Sequence, residues 1–142
     1  MEVRTKVVQH SNVEQKLTKN QSLVLKSLFE AQGPMSAYSI LDDLRAYGFK
    51  APLQVYRALE KLTELGVVHR LESLNSFIAC NVDSCGNGGA TAFVICDQCE
   101  SIQEVSDNSV SNFLGKLANK ADVKPTKSSI ELHGICNDCE KN

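Results

Sequence analysis

The segments Cys96-Asp-Gln-Cys99 and Cys136-Asn-Asp-Cys139 decide how the second half of this chain folds. Each of these turns, called a knuckle below, brings two thiolates within reach of one ion, and four thiolates form the closed tetrahedral shell that Zn²⁺ prefers. Because four protein ligands leave no open coordination position, the pattern predicts a structural zinc and not a catalytic one. Loss of the metal is expected to unfold the small domain around it.

The 36 residues between the two knuckles exceed the spacing of a compact zinc ribbon, so a structured element must fill the gap. Apolar residues at helical spacing predict a helix there, carried by Val110, Phe113, Leu114, Leu117 and Ala121. Strands are predicted around this helix at Ala92–Ile95, Ile102–Val105 and Ser129–Ile135. The knuckles then hold the last strand against the first.

A redox-active Cys-x-x-Cys of the thioredoxin type is the competing interpretation of the knuckles. Such a motif is expected once, at the start of a helix in a βαβ unit, whereas this chain contains two. The spacing therefore favours structural zinc.

The charge of the chain is unevenly distributed. The net charge of −2 disfavours a nucleic-acid binder, but residues 1–79 carry ten Lys and Arg against eight Asp and Glu, and residues 80–142 carry five against nine. All six Cys lie in the acidic part. Without an apolar signal sequence at the start, six Cys predict metal thiolates or redox chemistry in a reducing compartment and not a disulfide framework.

Several classes of function are disfavoured by the sequence. The chain has no apolar run long enough to cross a membrane. It also has no phosphate-binding loop and no pairing of a nucleophile with a base, so we expect neither an enzyme nor a small-molecule substrate.

The first half of the chain predicts three helices followed by a β-hairpin. The start and stop signals of the helices are Thr18 with Gln21 and Gly33-Pro34, then Ser36 and Gly48, then Pro52 and Gly66. The residues expected to face the core are Leu25, Leu28, Phe29, Ile40, Leu41, Leu44, Val55, Leu59 and Leu62. Two strands, Val67–Leu71 and Ser76–Cys80, alternate around a turn at Ser73–Asn75.

This order of elements is that of a winged helix-turn-helix, whose third helix enters the major groove of DNA. Four polar residues of that helix lie off its apolar stripe: Gln54, Tyr56, Arg57 and Lys61. Arg57 is suited to a bidentate contact with guanine, and Tyr56 and Lys61 to phosphates or a thymine methyl group. The pattern alone equally allows a small helical domain with a solvated basic face.

The predicted fold class is therefore α+β, with a winged helix-turn-helix followed by a small α/β domain that a structural zinc ion stabilises. We place the first domain at residues 1–82 and the second at 91–142. The Gly-rich stretch Asp83-Ser-Cys-Gly-Asn-Gly-Gly89 predicts a hinge at 83–90 between them.

Outside the knuckles, four further residues form a candidate second metal site: His69, Cys80, Cys85 and Glu104. A thiol, an imidazole and a carboxylate together suit zinc, and ligands drawn from both domains would make the hinge depend on metal. The spacing equally allows a buried strand thiol at Cys80, a hydrogen-bonded histidine at His69 and a surface charge at Glu104.

Several segments of the chain resemble the ferric uptake regulator superfamily of metal-sensing bacterial repressors. Pro52-Leu-Gln-Val-Tyr-Arg-Ala-Leu59 is similar to the recognition helix of that family. Phe93-Val-Ile-Cys-Asp-Gln-Cys99 and Ile130-Glu-Leu-His-Gly-Ile-Cys136 resemble its two knuckle segments. Met35-Ser-Ala-Tyr-Ser-Ile-Leu41 and Val68-His-Arg-Leu-Glu-Ser-Leu-Asn-Ser76 resemble the branch that regulates zinc uptake.

The resemblance implies a winged-helix DNA-binding domain, a dimerisation domain, and a homodimer that binds a palindromic operator when loaded with metal. It implies that Tyr56 and Arg57 contact DNA and that the four knuckle cysteines bind the structural zinc. It also implies repression of zinc uptake genes in the bacterial cytoplasm, with one structural and one regulatory zinc per monomer.

The regulatory site of the zinc branch uses a His, a Cys, a second His and a Glu. Three of these match His69, Cys80 and Glu104, but the hinge contains no His. We therefore hypothesise that Cys85 is the fourth ligand, with water or Asp83 as alternatives.

The histidine count bears on which metal is sensed. Relatives that sense iron or peroxide use sites rich in His and carboxylates, whereas this chain contains only His10, His69 and His133. For His133 a positioning or packing role is favoured over ligation, and His10 receives no role. A sensor of iron or manganese, a thiol-based redox protein and a zinc-stabilised protein adaptor remain the alternatives.

Overall fold

The computed structural model describes residues 17–80, 91–126 and 128–142. The chain divides into two compact units, Met1–Gly86 and Asn87–Asn142. The predicted hinge at 83–90, including Cys85, lies outside the described residues, and so does His10. Within the described part, no helix is both long and apolar enough to cross a bilayer.

The first unit contains three helices, α1 (Lys19–Glu30), α2 (Ala37–Leu44) and α3 (Pro52–Glu64). The predicted capping box opens α1, since the Thr18 hydroxyl accepts a bond from the Gln21 N–H at 3.2 Å and the Gln21 side chain accepts one from the Thr18 N–H at 3.1 Å. Ser36 caps α2 by accepting from the Ser39 N–H at 3.2 Å. The local start signals therefore predict where these helices begin.

The core of the first unit is formed by one face of each helix and by the hairpin. Its buried members include Leu25, Leu28, Ile40, Leu41, Leu44, Val55, Leu59, Leu62 and Val68. The prediction for Phe29 was wrong, because 41% of this residue is exposed. Phe29 lies beside Leu28, at the edge of the buried face that Val24, Leu25 and Leu28 form on this helix.

Strands β1 (Val68–Leu71) and β2 (Ser76–Ala79) form the predicted antiparallel hairpin, with Val68 opposite Ala79. A 3₁₀ turn over Glu72–Leu74 joins them and ends at Asn75, whose φ of 46° is left-handed. Met35 pairs with Phe77 through two backbone hydrogen bonds of 2.8 and 2.9 Å, which attach the hairpin to the segment before α2.

The second unit is built on a three-stranded sheet in the order β4-β3-β5. Strand β3 (Thr91–Cys96) pairs antiparallel with β4 (Ile102–Ser106) and parallel with β5 (Ile130–Gly134). The last pair of the parallel ladder is Cys96 and Gly134. The predicted contact of the last strand with the first is thus present, and it brings the two knuckles to one end of the sheet.

Helix α4 (Asn108–Lys120) connects β4 to β5, and a short helix, α5 (Asn137–Glu140), contains most of the second knuckle. Asp107 caps α4 by accepting a bond from the Ser109 N–H at 2.7 Å. The apolar face that predicts α4 is not buried within one chain, since Phe113 is 65% and Leu117 52% exposed and no residue of this helix is buried. This unit therefore presents an apolar surface without covering it.

Candidate metal centres and nucleic-acid interface

The four knuckle cysteines lie together at the end of the sheet. Cys96 is the last residue of β3, Cys99 follows in the turn, and Cys136 and Cys139 lie at the start and within α5. The four sulfurs all lie within 4.8 Å of one another, and those of Cys99 and Cys136 are 3.8 Å apart. Sulfurs bound about 2.3 Å from a tetrahedral zinc are separated by about 3.8 Å. The donor set and its spacing thus fit one zinc ion.

Backbone N–H groups already point at one of these sulfurs. The sulfur of Cys96 accepts hydrogen bonds from the N–H of Cys99 at 3.5 Å and of Cys136 at 3.3 Å. These bonds, the one from Cys99 first, lower the pKa of the Cys96 thiol from 9.0 to about 6. Such bonds favour the thiolate, the form that ligates zinc.

The other thiols of the cluster have different surroundings. The sulfur of Cys99 is hydrogen-bonded to the Ser101 hydroxyl at 3.2 Å, which lowers the pKa of Cys99. A side-chain hydrogen bond with Cys136 is the main cause that raises the pKa of Cys139 to about 12. The raised pKa favours the protonated thiol of Cys139, so binding of zinc there would release a proton.

His133 is not among the grouped ligand atoms of this cluster. Its Nδ1 lies 2.9 Å from Oδ1 of Asp97, a residue within the first knuckle. The sequence pattern did not identify Asp97, because nothing local links it to a residue 36 positions away.

His69 and Cys80 belong to the first unit and lie close together in the hairpin. Their ligand atoms are within 4.8 Å of each other. His69 pairs with Ile78, two residues before Cys80, so the two side chains are diagonal neighbours on one face of the hairpin. The Cys80 N–H donates to the Val67 carbonyl at 2.9 Å, which extends the ladder to the cysteine.

The surroundings of this pair suit a metal ligand. Burial lowers the pKa of the His69 imidazole below its ordinary 6.5, which keeps the ring in the neutral form that binds metals. Cys80 is only 1% exposed. The sulfur of Cys80 is disulfide-bonded in the structure, so the protein must be reduced before Cys80 can bind a metal.

Glu104 belongs to the second unit. It lies on β4 opposite Phe93 and is partly buried, whereas the hypothesised ligand Cys85 lies outside the described residues. The structure thus brings His69 and Cys80 together within one unit, and the participation of Glu104 and Cys85 stays a prediction.

Three of the four candidate DNA-reading residues are exposed on α3. Tyr56 is 39% exposed, Arg57 is exposed, and Lys61 forms a surface ion pair with Glu64 at 3.6 Å. Pro52 provides the first residue of this helix, as predicted. These side chains lie on the solvent side of a helix whose opposite face is the core of the unit.

Gln54 has a structural role that the sequence pattern did not identify. Its side-chain oxygen accepts hydrogen bonds from the N–H groups of Lys50 at 2.7 Å and of Ala51 at 3.1 Å. These bonds fix the start of α3, where Ala51 has no side-chain acceptor. Gln54 lies three residues after Ala51, the residue before the helix. This is the spacing of a capping box, and it is the sequence signal for such a role.

Most of the chain is similar to one family of known proteins. Residues 12–133 match the family model described as the Ferric uptake regulator family. The Zinc uptake regulation protein of Escherichia coli (strain K12) is 36% identical over 125 residues, which cover 87% of this chain and 72% of that protein.

Two solved structures are also similar. "Zinc Uptake Regulator Complexed With Zinc AND DNA" is 32% identical, with a TM-score of 0.83 and coverage of 97% of both chains. "Crystal structure of holo XcZur" is 36% identical, with a TM-score of 0.78 and coverage of 89% of this chain and 87% of that one. These likenesses confirm the predicted α+β class, and the chain belongs to the ferric uptake regulator family.

Proposed function

We propose that this protein is a zinc-responsive repressor of zinc uptake genes, which binds a palindromic operator as a metal-loaded homodimer in the bacterial cytoplasm. The observation that carries the proposal is its likeness, over nearly the whole of both chains, to a regulator whose structure contains zinc and DNA. The function is one of regulated binding and requires no catalytic group.

The structural zinc is assigned to the four knuckle cysteines, Cys96, Cys99, Cys136 and Cys139. When bound, zinc cross-links the two knuckles and supplies folding free energy to the second unit. The end of the parallel ladder at Cys96 and Gly134 positions the two turns so that all four sulfurs converge.

The regulatory zinc is assigned to His69, Cys80 and Glu104, with Cys85 as the hypothesised fourth ligand. His69 and Cys80 come from the first unit and Glu104 from the second, so a shared metal links the DNA-reading unit to the other unit. A set with a thiolate and an imidazole favours zinc over iron or manganese, which prefer harder ligands. The neutral His69 ring suits this role.

Operator binding is assigned to α3, with Arg57 reading a guanine and Tyr56 and Lys61 contacting phosphates or a thymine methyl group. In a dimer the two copies of α3 must reach half-sites about 34 Å apart, or a multiple of that distance. A metal ion that holds the two units of each chain in one relative position would therefore control whether both copies of α3 reach their half-sites at the same time. Gln54 completes the proposed DNA-reading set, and its side-chain oxygen also accepts hydrogen bonds at the start of the helix.

Homodimerisation is assigned to the second unit. The face of α4 that contains Phe113 and Leu117 is exposed in one chain, and so is Leu132 on β5. A second copy of the chain is the partner that buries such a surface in an oligomer with closed symmetry.

The test is a zinc titration of operator binding. The reduced full-length protein is mixed with a fluorescent palindromic DNA selected in vitro, and fluorescence anisotropy is recorded in chelator-buffered zinc, iron(II) or manganese(II). We expect zinc to raise the affinity, and by linkage the DNA to raise the zinc affinity by the same factor. An operator affinity that zinc leaves unchanged would overturn the proposal of a zinc sensor. A response to iron(II) or manganese(II) alone would show that the protein senses that metal instead.

Zinc content separates the two sites. We expect two zinc ions per monomer in the parent protein, one in Cys80→Ser or His69→Ala, and two in the control His10→Ala. One zinc per monomer in the parent and in all three variants would contradict the regulatory site and support the structural zinc alone. Retention of zinc in Cys96→Ser at the parent level would contradict the structural assignment.

A further inference from the structure

We propose that Asp97 and His133 form a clamp that keeps the two knuckles together and slows the release of the structural zinc. Neither residue is assigned as a ligand, so both are positioning residues that act through the turns they hold. The proposal rests on the assignment of the four knuckle cysteines as a zinc site, made above.

The clamp consists of two hydrogen bonds from one residue. The Asp97 N–H donates to the Gly134 carbonyl at 2.8 Å, and its carboxylate is paired with Nδ1 of His133 at 2.9 Å. Asp97 therefore binds two successive residues of β5 through both its backbone and its side chain.

The position of the clamp gives it a connection to the metal. Asp97 directly follows the ligand Cys96, and Gly134 lies two residues before the ligand Cys136. The Asp97 N–H closes the last pair of the parallel ladder, Cys96 and Gly134, and the side-chain contact with His133 adds a second link between the strands at the same end. The hydrogen bond from the Cys136 N–H to the Cys96 sulfur, at 3.3 Å, crosses the same gap.

A turn of one knuckle away from the other is a direct route to zinc release, because each knuckle supplies two sulfurs. Motion of the first knuckle breaks the Asp97 bonds to β5 as well as the bonds to zinc. The side chains of His133 and Asp97 are 34% and 56% exposed, and exposed pairs of this kind add little to global stability. We therefore expect the clamp to affect the rate of zinc release more than the melting temperature.

The experiment uses the full-length dimer in a Cys80→Ser background, so that only the structural zinc is present. The protein is mixed with excess chromophoric chelator, and the rate of zinc release is followed by absorbance. The variants are Asp97→Ala, His133→Ala, the double variant, and Asp97→Asn, which keeps an acceptor. Asp138→Ala is the matched control, because it removes an exposed acid from the other knuckle.

We expect each single alanine variant to release zinc about tenfold faster, matching the lower end of the affinity loss that follows removal of residues that support metal ligands. The double variant should be no faster than the singles, since either change breaks the same bond. Asp97→Asn should release zinc more slowly than Asp97→Ala, and Asp138→Ala at the parent rate.

Cobalt(II) substitution separates positioning from ligation. The visible spectrum of a tetrahedral site with four thiolates should be the same in parent, Asp97→Asn and His133→Ala. A changed spectrum in His133→Ala would make His133 a ligand and overturn the clamp. Parent-like release rates, or single effects that multiply in the double variant, would also overturn it. A parent protein that holds no zinc in this background would instead contradict the structural-zinc assignment itself.

Discussion

His69 shows how one residue combines burial with ligand chemistry. The ring lies on β1 in the hairpin, partly covered, and burial lowers its pKa below 6.5. A buried neutral imidazole costs stability when the medium becomes acidic, because the unfolded chain takes up a proton more readily than the folded one. The same property keeps a nitrogen lone pair available for a metal.

The pH dependence of the first unit follows from this shift. In the metal-free, reduced protein the contribution of His69 to the free energy of unfolding is constant above the ordinary pKa of 6.5 and falls as the pH drops through it. Because the three Tyr, Tyr38, Tyr47 and Tyr56, all lie in the first unit, urea unfolding followed by tyrosine fluorescence reports on it. His69→Gln should weaken the loss of stability between pH 7.5 and pH 5.5, while His133→Gln should not. An equal loss in the parent and both variants would contradict the burial of His69.

Replacement of Arg57 and replacement of Lys61 are expected to change operator binding in different ways. Replacement of Arg57 by Ala should cost about 1–3 kcal/mol of operator affinity and relax base preference at one position in each half-site. Lys61→Ala, the matched control, should weaken binding equally for all sequences and reduce the salt dependence by about one counterion. The measurement is anisotropy on operators with single substitutions at several salt concentrations. A uniform loss in Arg57→Ala would make this residue a phosphate contact.

At the scale of elements, helix starts are set by side chains that accept backbone hydrogen bonds. Thr18 and Ser36 occupy the residue before their helices and were identified from local spacing. Helix α3 is different, since the residue before it is Ala51 and Gln54 supplies the acceptor from inside the helix.

Loss of the Gln54 side chain should therefore weaken the first unit. We expect Gln54→Ala to lower the free energy of unfolding by about 1 kcal/mol, the usual size of a capping interaction, and Gln54→Glu to retain most of it because an acceptor remains. Urea unfolding followed by tyrosine fluorescence measures both. If Gln54→Ala kept its stability and lost operator affinity, Gln54 would be a DNA contact and not a cap.

At the scale of the whole molecule, α4 bears on the proposed dimer. The apolar face predicted from helical spacing exists, and its residues are exposed in one chain, as a face that a second copy buries would be. The excess of acidic residues in 80–142 also belongs to this half, and acidic side chains disfavour weak, non-specific contacts with DNA phosphates.

Substitution of an exposed apolar residue of α4 tests the dimer. Phe113→Asp should convert the zinc-loaded protein to a monomer, because burial of a charge in an apolar interface is costly. Asn119→Asp, on the opposite face of the same helix, is the control and should remain dimeric. Sedimentation velocity gives the oligomeric state, and a dimeric Phe113→Asp would exclude this face from the interface.

The order of helices and strands, the capping residues of α1 and α2 and the convergence of four cysteines were all predictable from sequence. These features depend on interactions between residues three or four apart, or on a Cys-x-x-Cys turn whose chemistry needs no knowledge of the rest. The exposure of Phe29 was not predictable in this way, because helical spacing identifies a face but not how wide a strip of that face the neighbouring elements cover.

The sequence by itself thus determined the α+β class, the positions of the elements and the four cysteines of one candidate zinc site, since all of these are encoded in local periodicity and spacing. Only the tertiary structure decided that Asp97 binds β5 through His133 and Gly134, and that His69 and Cys80 lie on one face of the hairpin. The physical reason is that strand register sets these contacts, and register depends on how whole strands pack.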